Sequence, residues 1–305
     1  MRVEPVAVFL NAVRAAAASS AGEGASLPAE YEAALAPARR LNEGFGRNTL
    51  AWGVIDRQVE GCPNAAALLD RFRELPETVR LFPSGTAPLR DPAVELGQAL
   101  VALEEDWLAR RWPAHAALLD AARRDIAASF APHEAACFAH MLDGLGMTDP
   151  KAEIPIYLTV DAPWPGAVTY RRRGGGGICF VSVKDHVGTL LYETMLHEAT
   201  HALDVLTPSG EGVLERLRAR LEEAGVEPRD RRMRGVPHTL MFVQAGETIR
   251  RVVDPRHVHY GDAAGYYDKV RAIADAELPV WRAHLDGELS RDEALDRIVT
   301  AVVDE

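Results

Sequence analysis

A change in the spacing of apolar residues near residue 150 sets the strongest limit on how this chain can fold. Before that point, apolar residues recur every three or four positions, the pattern of helices with one buried face. Three short runs rich in β-branched residues follow, and helical spacing then returns. The sequence therefore predicts an α+β fold that is mostly helical, with a helical region over residues 1–150 and a second region over residues 151–305.

The segments within these two regions follow from the same spacing, with Pro and Gly marking their ends. In the first region, helices are predicted at residues 5–19, 28–41, 63–75, 92–112, 115–130 and 133–142. In the second, strands are predicted at residues 154–160, 167–172 and 178–183. Helices are then predicted at residues 187–206, 212–223, 237–253, 263–284 and 291–303. Ser290 and Glu293 precede and open the last helix with the spacing of a capping box.

One short motif carries recognisable chemistry. His197, Glu198 and His201 form the pattern HExxH within the helix predicted at residues 187–206. Residues four apart lie on one face of a helix, so both imidazoles can bind a single Zn²⁺. Glu198 directly follows the first histidine, where its carboxylate can take a proton from the attacking water. The sequence therefore predicts a catalytic zinc site, with one zinc per chain.

The motif and its surroundings resemble the zincin metallopeptidases. In that superfamily a small sheet precedes the HExxH helix, and an edge strand of the sheet lines the substrate cleft. The strands predicted over residues 154–183 and the helix that follows match this order. The resemblance covers about residues 150–260, and it implies a zincin-like catalytic domain with a small mixed sheet over residues 151–305. It also implies cleavage of peptide bonds.

The third zinc ligand is open to more than one assignment. A catalytic zinc takes three protein ligands, and the metzincin branch is excluded because Asp204 and Thr207 stand where it has Gly and His. In the gluzincin branch a Glu from a following helix completes the site, and Glu247 fits best. It lies on an otherwise apolar helix, where a carboxylate should bind metal or be paired. The alternative is an ion pair with Arg250 or Arg251, the latter standing where the branch carries an Asp.

Other side chains near the motif have two interpretations. Asp204 lies on the same helix face as the histidines and is the rival third ligand, although its position one turn further along suits the orienting of an imidazole or an arginine better. Glu193, four residues before His197, has the same two interpretations. Cys179 is a further possible ligand, but its surroundings are typical of a buried strand, where free Cys usually acts as a small core residue.

The oxyanion formed during peptide hydrolysis needs a hydrogen-bond donor besides zinc. Zincins commonly supply a Tyr or a His for this purpose. Tyr260, which precedes Gly261 in a segment dense in His and Tyr, is the first candidate, and His238 is the second. Residues 178–183 are a candidate edge strand that could bind an extended peptide by strand addition; the alternative is an interior strand.

Composition limits the partners and the compartment. With 34 Lys and Arg against 45 Asp and Glu, the formal charge is −11, which argues against nucleic acids and anionic membranes as partners. Three widely spaced cysteines do not form a disulfide framework and fit a reducing compartment. No apolar run reaches the roughly 20 residues of a membrane span. The short apolar stretch at residues 6–13 lacks a positively charged flank, so we expect a cytoplasmic protein.

Together these features predict a zinc-dependent hydrolase, a metallopeptidase acting on peptide or protein substrates. His197, His201 and Glu247 are the expected zinc ligands, Glu198 the base and Tyr260 the oxyanion donor. Two alternatives remain open: a zincin-fold binding or regulatory protein without activity, and a zinc hydrolase of a non-peptide amide or ester. The substrate and the oligomeric state are beyond the sequence.

Overall fold

The computed structural model describes residues 1–18, 27–46, 49–81, 85–147, 153–162, 166–172, 176–206 and 212–303. It confirms a mostly helical fold with small sheets. The α-helices are α1 (Pro5–Ala18), α2 (Glu32–Phe45), α3 (Gly53–Asp56), α4 (Ala65–Arg73), α5 (Arg90–Arg110), α6 (Trp112–Asp125), α7 (Glu134–Leu145), α8 (Gly188–Leu206), α9 (Val213–Glu223), α10 (Arg232–Val252), α11 (Tyr260–Ala263), α12 (Tyr266–Lys269), α13 (Arg271–Leu285) and α14 (Arg291–Val303). The strands are β1 (Thr78–Arg80), β2 (Thr86–Pro88), β3 (Ile156–Thr159), β4 (Ala167–Arg171) and β5 (Gly177–Ser182).

The chain forms two compact units that alternate along the sequence. The first unit contains Met1–Arg124 and Ile154–His186, and the second contains Asp125–Glu153 and Val187–Glu305. All three strands β3, β4 and β5 therefore belong to the first unit, and the helix with the HExxH motif belongs to the second. The division at residue 150 that the sequence suggests is a statement about separately folding domains, and it stays a prediction.

The sheet of the first unit is small and mixed, as predicted. Its strand order is β3-β5-β4, with β5 parallel to β3 and antiparallel to β4. The strand predicted at residues 178–183 is thus the central one, and all six residues of β5 are buried. Its backbone is paired on both sides, so the expectation that it is an edge strand able to accept a peptide is wrong.

Strand β4 is anchored to the helices of the first unit by a buried polar cluster. The Arg14 guanidinium pairs with Asp56 and donates a hydrogen bond of 3.0 Å to the Tyr170 hydroxyl. It also lies 4.9 Å from the ring centre of Trp52, which adds a cation–π contact. A Cβ atom on Gly53 would lie 2.3 Å from the Tyr170 ring, so only glycine permits this approach. The cluster ties α1, α3 and β4 together.

The first 150 residues are not helical throughout, as the sequence predicts. Strands β1 and β2 form an antiparallel hairpin, with Thr78 opposite Pro88 and Arg80 opposite Thr86. The central residue of each strand, Val79 or Ala87, is buried between exposed neighbours. Part of the Pro and Gly signal used to separate the neighbouring helices falls on residues 82–84, outside the described residues.

Helix α10 is the central element of the second unit. It packs against α7, α8, α9, α11 and α13. Thirteen of its residues between Val236 and Ile249 are buried, which explains why its sequence is apolar almost all round. The capping box of α14 is confirmed: the Ser290 amide donates to the Glu293 carboxylate at 2.8 Å, and the Glu293 amide donates to the Ser290 hydroxyl at 3.2 Å. None of the described helices combines the length and hydropathy needed to span a bilayer.

Candidate metal centre

Helix α8 presents the two histidines of the HExxH motif on one face. His197 and Glu198 are buried, and His201 is partly buried. The ring centres of His197 and His201 lie 4.9 Å apart. One helical turn separates the two residues, so their side chains are neighbours, as the spacing predicts.

Helix α10 brings a third imidazole to this pair. The ring centre of His238 lies 5.0 Å from that of His197 and 5.4 Å from that of His201. One ring nitrogen from each of the three residues lies within 4.8 Å of the other two. Among the described residues, this is the only group of three or more potential metal-ligating side chains that meets this criterion. His238 therefore occupies the place that the sequence analysis gives to a carboxylate.

The environment keeps all three imidazoles neutral. Burial, aided by the two neighbouring histidines, lowers the pKa of His197 well below its usual value. Burial also lowers the pKa of His201 to about 3, with further contributions from His238, Arg218 and Arg234. For His238 burial and Arg234 lower the pKa to about 4. Neutral imidazoles are the form that binds a metal ion.

Aromatic rings hold the histidines in place from the side of α10. Phe242, one turn after His238, stacks on His197 with ring centres 3.8 Å apart. Tyr266 contacts Phe242 at 4.7 Å between ring centres, and its hydroxyl lies 3.2 Å from His238 Nδ1. These contacts restrict ring rotation, which preorganises the three nitrogens for a common ligand.

Glu247 is not brought to the histidines. Its carboxylate is fully buried and pairs with Arg250 at 2.5 Å, Arg251 at 3.3 Å and Arg282 at 2.8 Å. His259 adds a contact of 3.1 Å. Burial acts to raise the pKa of Glu247, but the hydrogen bonds from His259 and the arginines outweigh it and hold the pKa well below its usual value. Of the two interpretations open for this residue, the structure favours the ion pair.

The geometry of α10 explains why His238 and Glu247 part company. They are nine residues apart, which is about 13–14 Å along the axis and about 180° around it. Only one of them can face α8, where the motif histidines lie, and that residue is His238. The sequence identifies the helix but not its rotation about its own axis, which tertiary packing decides.

The remaining candidates near the motif make other contacts. Asp204, the rival third ligand, lies 3.8 Å from Arg218 on α9, which agrees with the suggestion that it orients an arginine. Cys179 is buried in β5 and lies outside the histidine group. Glu193 accepts hydrogen bonds from His257 Nε2 at 2.6 Å and from the Tyr260 amide at 2.7 Å.

Tyr260 lies close to the histidine group without a defined role. Its ring is parallel to that of Phe242, with centres 5.7 Å apart, and Phe242 in turn covers His197. The bond from its amide to Glu193 fixes the start of α11 to α8. Whether its hydroxyl serves as the oxyanion donor stays a prediction.

The donor set fits a divalent metal ion of the zinc class. Three neutral imidazoles can supply three lone pairs, and histidine-only ligation of a catalytic zinc is well established as a type of site. In addition, His197 Nδ1 is buried and has no hydrogen-bond partner among the described residues. A buried orphan nitrogen of this kind calls for an explanation, and an ion bound to this ring is one that also accounts for the clustering.

Comparisons with known proteins leave the assignment to this geometry. No protein-family model, no curated protein and no solved structure matches the chain.

Proposed function

We propose that the chain is a zinc-dependent hydrolase, with His197, His201 and His238 as the metal ligands. The observation that carries the proposal is the meeting of three neutral imidazoles from α8 and α10, beside the Glu198 carboxylate. This ligand set differs from the one that the sequence suggests, because His238 takes the place of Glu247. A zinc ion bound there would polarise the substrate carbonyl and make water a better nucleophile.

The residues of the chain would divide the remaining work. Glu198 adjoins a ligand in sequence and is buried on the same helix; it would take the proton of the attacking water and deliver it to the leaving amine. Phe242 excludes water from one side of His197. Peptides are the proposed substrates, and this rests on the resemblance of the HExxH segment to the zincins.

The metal site is tested by zinc content. We expect one zinc per chain in protein prepared with zinc, and loss of that zinc in His197→Ala and in His238→Ala. His284→Ala, a histidine of the same unit outside the group, is the matched control and should keep the metal. Absence of bound zinc in the wild-type protein would refute the site. Retention of full zinc affinity by His238→Ala would refute the third ligand.

The enzymatic part is tested separately with Glu198→Gln. This variant should keep its zinc and lose hydrolysis of a peptide library by about 10²–10⁴-fold, the usual contribution of a general base. If the wild-type protein binds zinc but cleaves no peptide in the library, the metallopeptidase proposal fails while the metal site stands. Cleavage of amide or ester substrates in its place would favour the non-peptide alternative.

A further inference from the structure

Among the three clustered histidines, His238 has a feature that the other two lack in the described residues. Its Nδ1 lies 3.2 Å from the hydroxyl oxygen of Tyr266, within hydrogen-bond distance. The same hydroxyl lies 3.2 Å from Thr239 Oγ1. Tyr266 thus contacts two consecutive side chains of α10 through one oxygen atom.

A neutral imidazole has one nitrogen that donates and one that accepts, so a partner on one nitrogen decides the role of the other. If Nδ1 of His238 donates to Tyr266, the lone pair is left on Nε2. The tyrosine hydroxyl can accept this bond and still donate its own proton to Thr239 Oγ1. All three groups are then satisfied in a single chain of hydrogen bonds, with Nε2 free for a metal.

The Tyr266 ring is held so that its hydroxyl stays in this position. It packs against Phe242 at 4.7 Å between ring centres and stands edge-on to His238 at 5.8 Å. Burial raises the pKa of Tyr266, so the phenol keeps its proton at neutral pH. Gly265, with a φ of 64°, provides the left-handed turn from which α12 begins at Tyr266.

We propose that Tyr266 is a positioning residue of the metal site, which fixes the orientation and tautomer of His238 so that Nε2 faces the metal. This inference rests on the proposed metal site. It assigns to Tyr266 the role that a hydrogen-bond partner behind a ligating histidine commonly has. It also separates Tyr266 from Tyr260, whose amide, and not its side chain, makes the bond to Glu193.

The test compares zinc affinity in Tyr266→Phe and Tyr267→Phe. Tyr266→Phe keeps the ring and removes the hydroxyl, and it should weaken zinc binding about 10–100-fold, measured by competition with a chromophoric chelator. Tyr267 is the neighbouring residue on α12, and its hydroxyl lies 3.4 Å from His259 Nδ1, outside the histidine group. Tyr267→Phe is therefore the matched control and should leave zinc affinity unchanged.

A second readout separates positioning from a general loss of structure. The Tm of the metal-free protein should be similar in Tyr266→Phe and wild type. The visible absorption of the cobalt-substituted protein should change in Tyr266→Phe only. Thr239→Val, which removes the acceptor of the tyrosine proton, should weaken zinc binding in the same direction but less.

The outcomes distinguish this inference from the proposed function. If the wild-type protein binds no zinc, the metal site itself is wrong. If the wild-type protein binds zinc and Tyr266→Phe binds it equally tightly, the site stands and the role of Tyr266 is overturned. Equal weakening by Tyr266→Phe and Tyr267→Phe, or a fall in the Tm of metal-free Tyr266→Phe that accounts for its weaker binding, would likewise overturn it.

Discussion

Two buried carboxylates of the second unit have opposite surroundings. Glu247 on α10 is surrounded by three arginines and His259, which hold its pKa well below the usual value of 4.5 against the effect of burial. Glu277 on α13 is fully buried, and neither of its oxygens has a hydrogen-bond partner among the described residues. Burial raises its pKa well above 4.5. The first is therefore a stabilising anion and the second a neutral acid at moderate pH.

Replacing Glu247 by Gln should lower the free energy of unfolding at pH 7 by about 2 kcal/mol. This is less than breaking a fully buried pair costs, because the arginines keep part of their hydration. The ionised carboxylate stabilises the fold above about pH 4.5 and ceases to do so as the pH falls through its lower folded pKa. The difference between variant and wild type in urea denaturation should therefore shrink in acid. Asp286→Asn, at an exposed partner of Arg251, should change little.

The same variant also decides between the two roles of Glu247. As an ion-pair partner, its replacement leaves zinc stoichiometry at one per chain. Loss of zinc from Glu247→Gln at a pH where the variant is folded would restore the ligand role that the sequence suggests.

Glu277→Gln should make stability less dependent on pH. With a raised folded pKa, the wild-type carboxyl stays protonated in the folded state while it ionises in the unfolded state above about pH 4.5. Each pH unit from there up to the folded pKa lowers the free energy of unfolding by about 1.4 kcal/mol. The amide removes this contribution, so denaturation curves between pH 5 and 7 should differ less. Glu288→Gln, at an exposed position, should keep the wild-type slope; an equal slope in Glu277→Gln would contradict the prediction.

Among the elements, α10 shows most clearly what sequence could and could not provide. Its apolar character predicts a buried helix, and the unusual Glu247 and Gly246 mark it as special. The predicted start at Pro237 is five residues late, because proline is common at helix starts but here lies inside the helix, which begins at Arg232. The third member of the histidine group was missed as a ligand because it depends on which side of α10 faces α8.

The strands and the hairpin differ in the same way. Strands β3, β4 and β5 have enough β-branched residues in sequence to be predicted within one or two residues. The position of β5 in the middle of the sheet was not predictable, because strand order depends on long-range pairing. Strands β1 and β2 have three residues each and one buried residue each, too few for a period of two to appear.

Gly246 on α10 is retained for the sake of close packing. A Cβ atom there would lie 2.6 Å from the His259 ring, closer than real Cβ contacts permit. Gly246→Ala should therefore lower the free energy of unfolding by about 1–3 kcal/mol, although alanine has the better helix propensity. Gly235→Ala on the same helix, where the nearest atom is the mobile Cδ1 of Ile273 at 3.1 Å, is the control and should be neutral or stabilising in thermal denaturation. A neutral Gly246→Ala would contradict the packing argument.

At the scale of the whole molecule, a cut at residue 150 divides both compact units. It separates β3, β4 and β5 from residues 1–124, and it separates residues 125–150 from α8 to α14. We expect a fragment of residues 151–305 to keep helical far-UV circular dichroism but to lose near-UV signal and cooperative unfolding. Cooperative unfolding of this fragment would show that residues 151–305 form the independent domain that the sequence suggests. The full chain is the control.

The alternation of the two units also orders events during synthesis. The first unit lacks its sheet until β5 has left the ribosome, roughly 60 residues after α6, which takes about 3–12 s at common translation rates. During that interval the apolar faces of α1, α2 and α5 have no sheet to complete their core, while residues 125–153 await partners that are made later still. The nascent chain therefore presents exposed apolar helices for seconds, which makes it a natural client for chaperones that act at the ribosome.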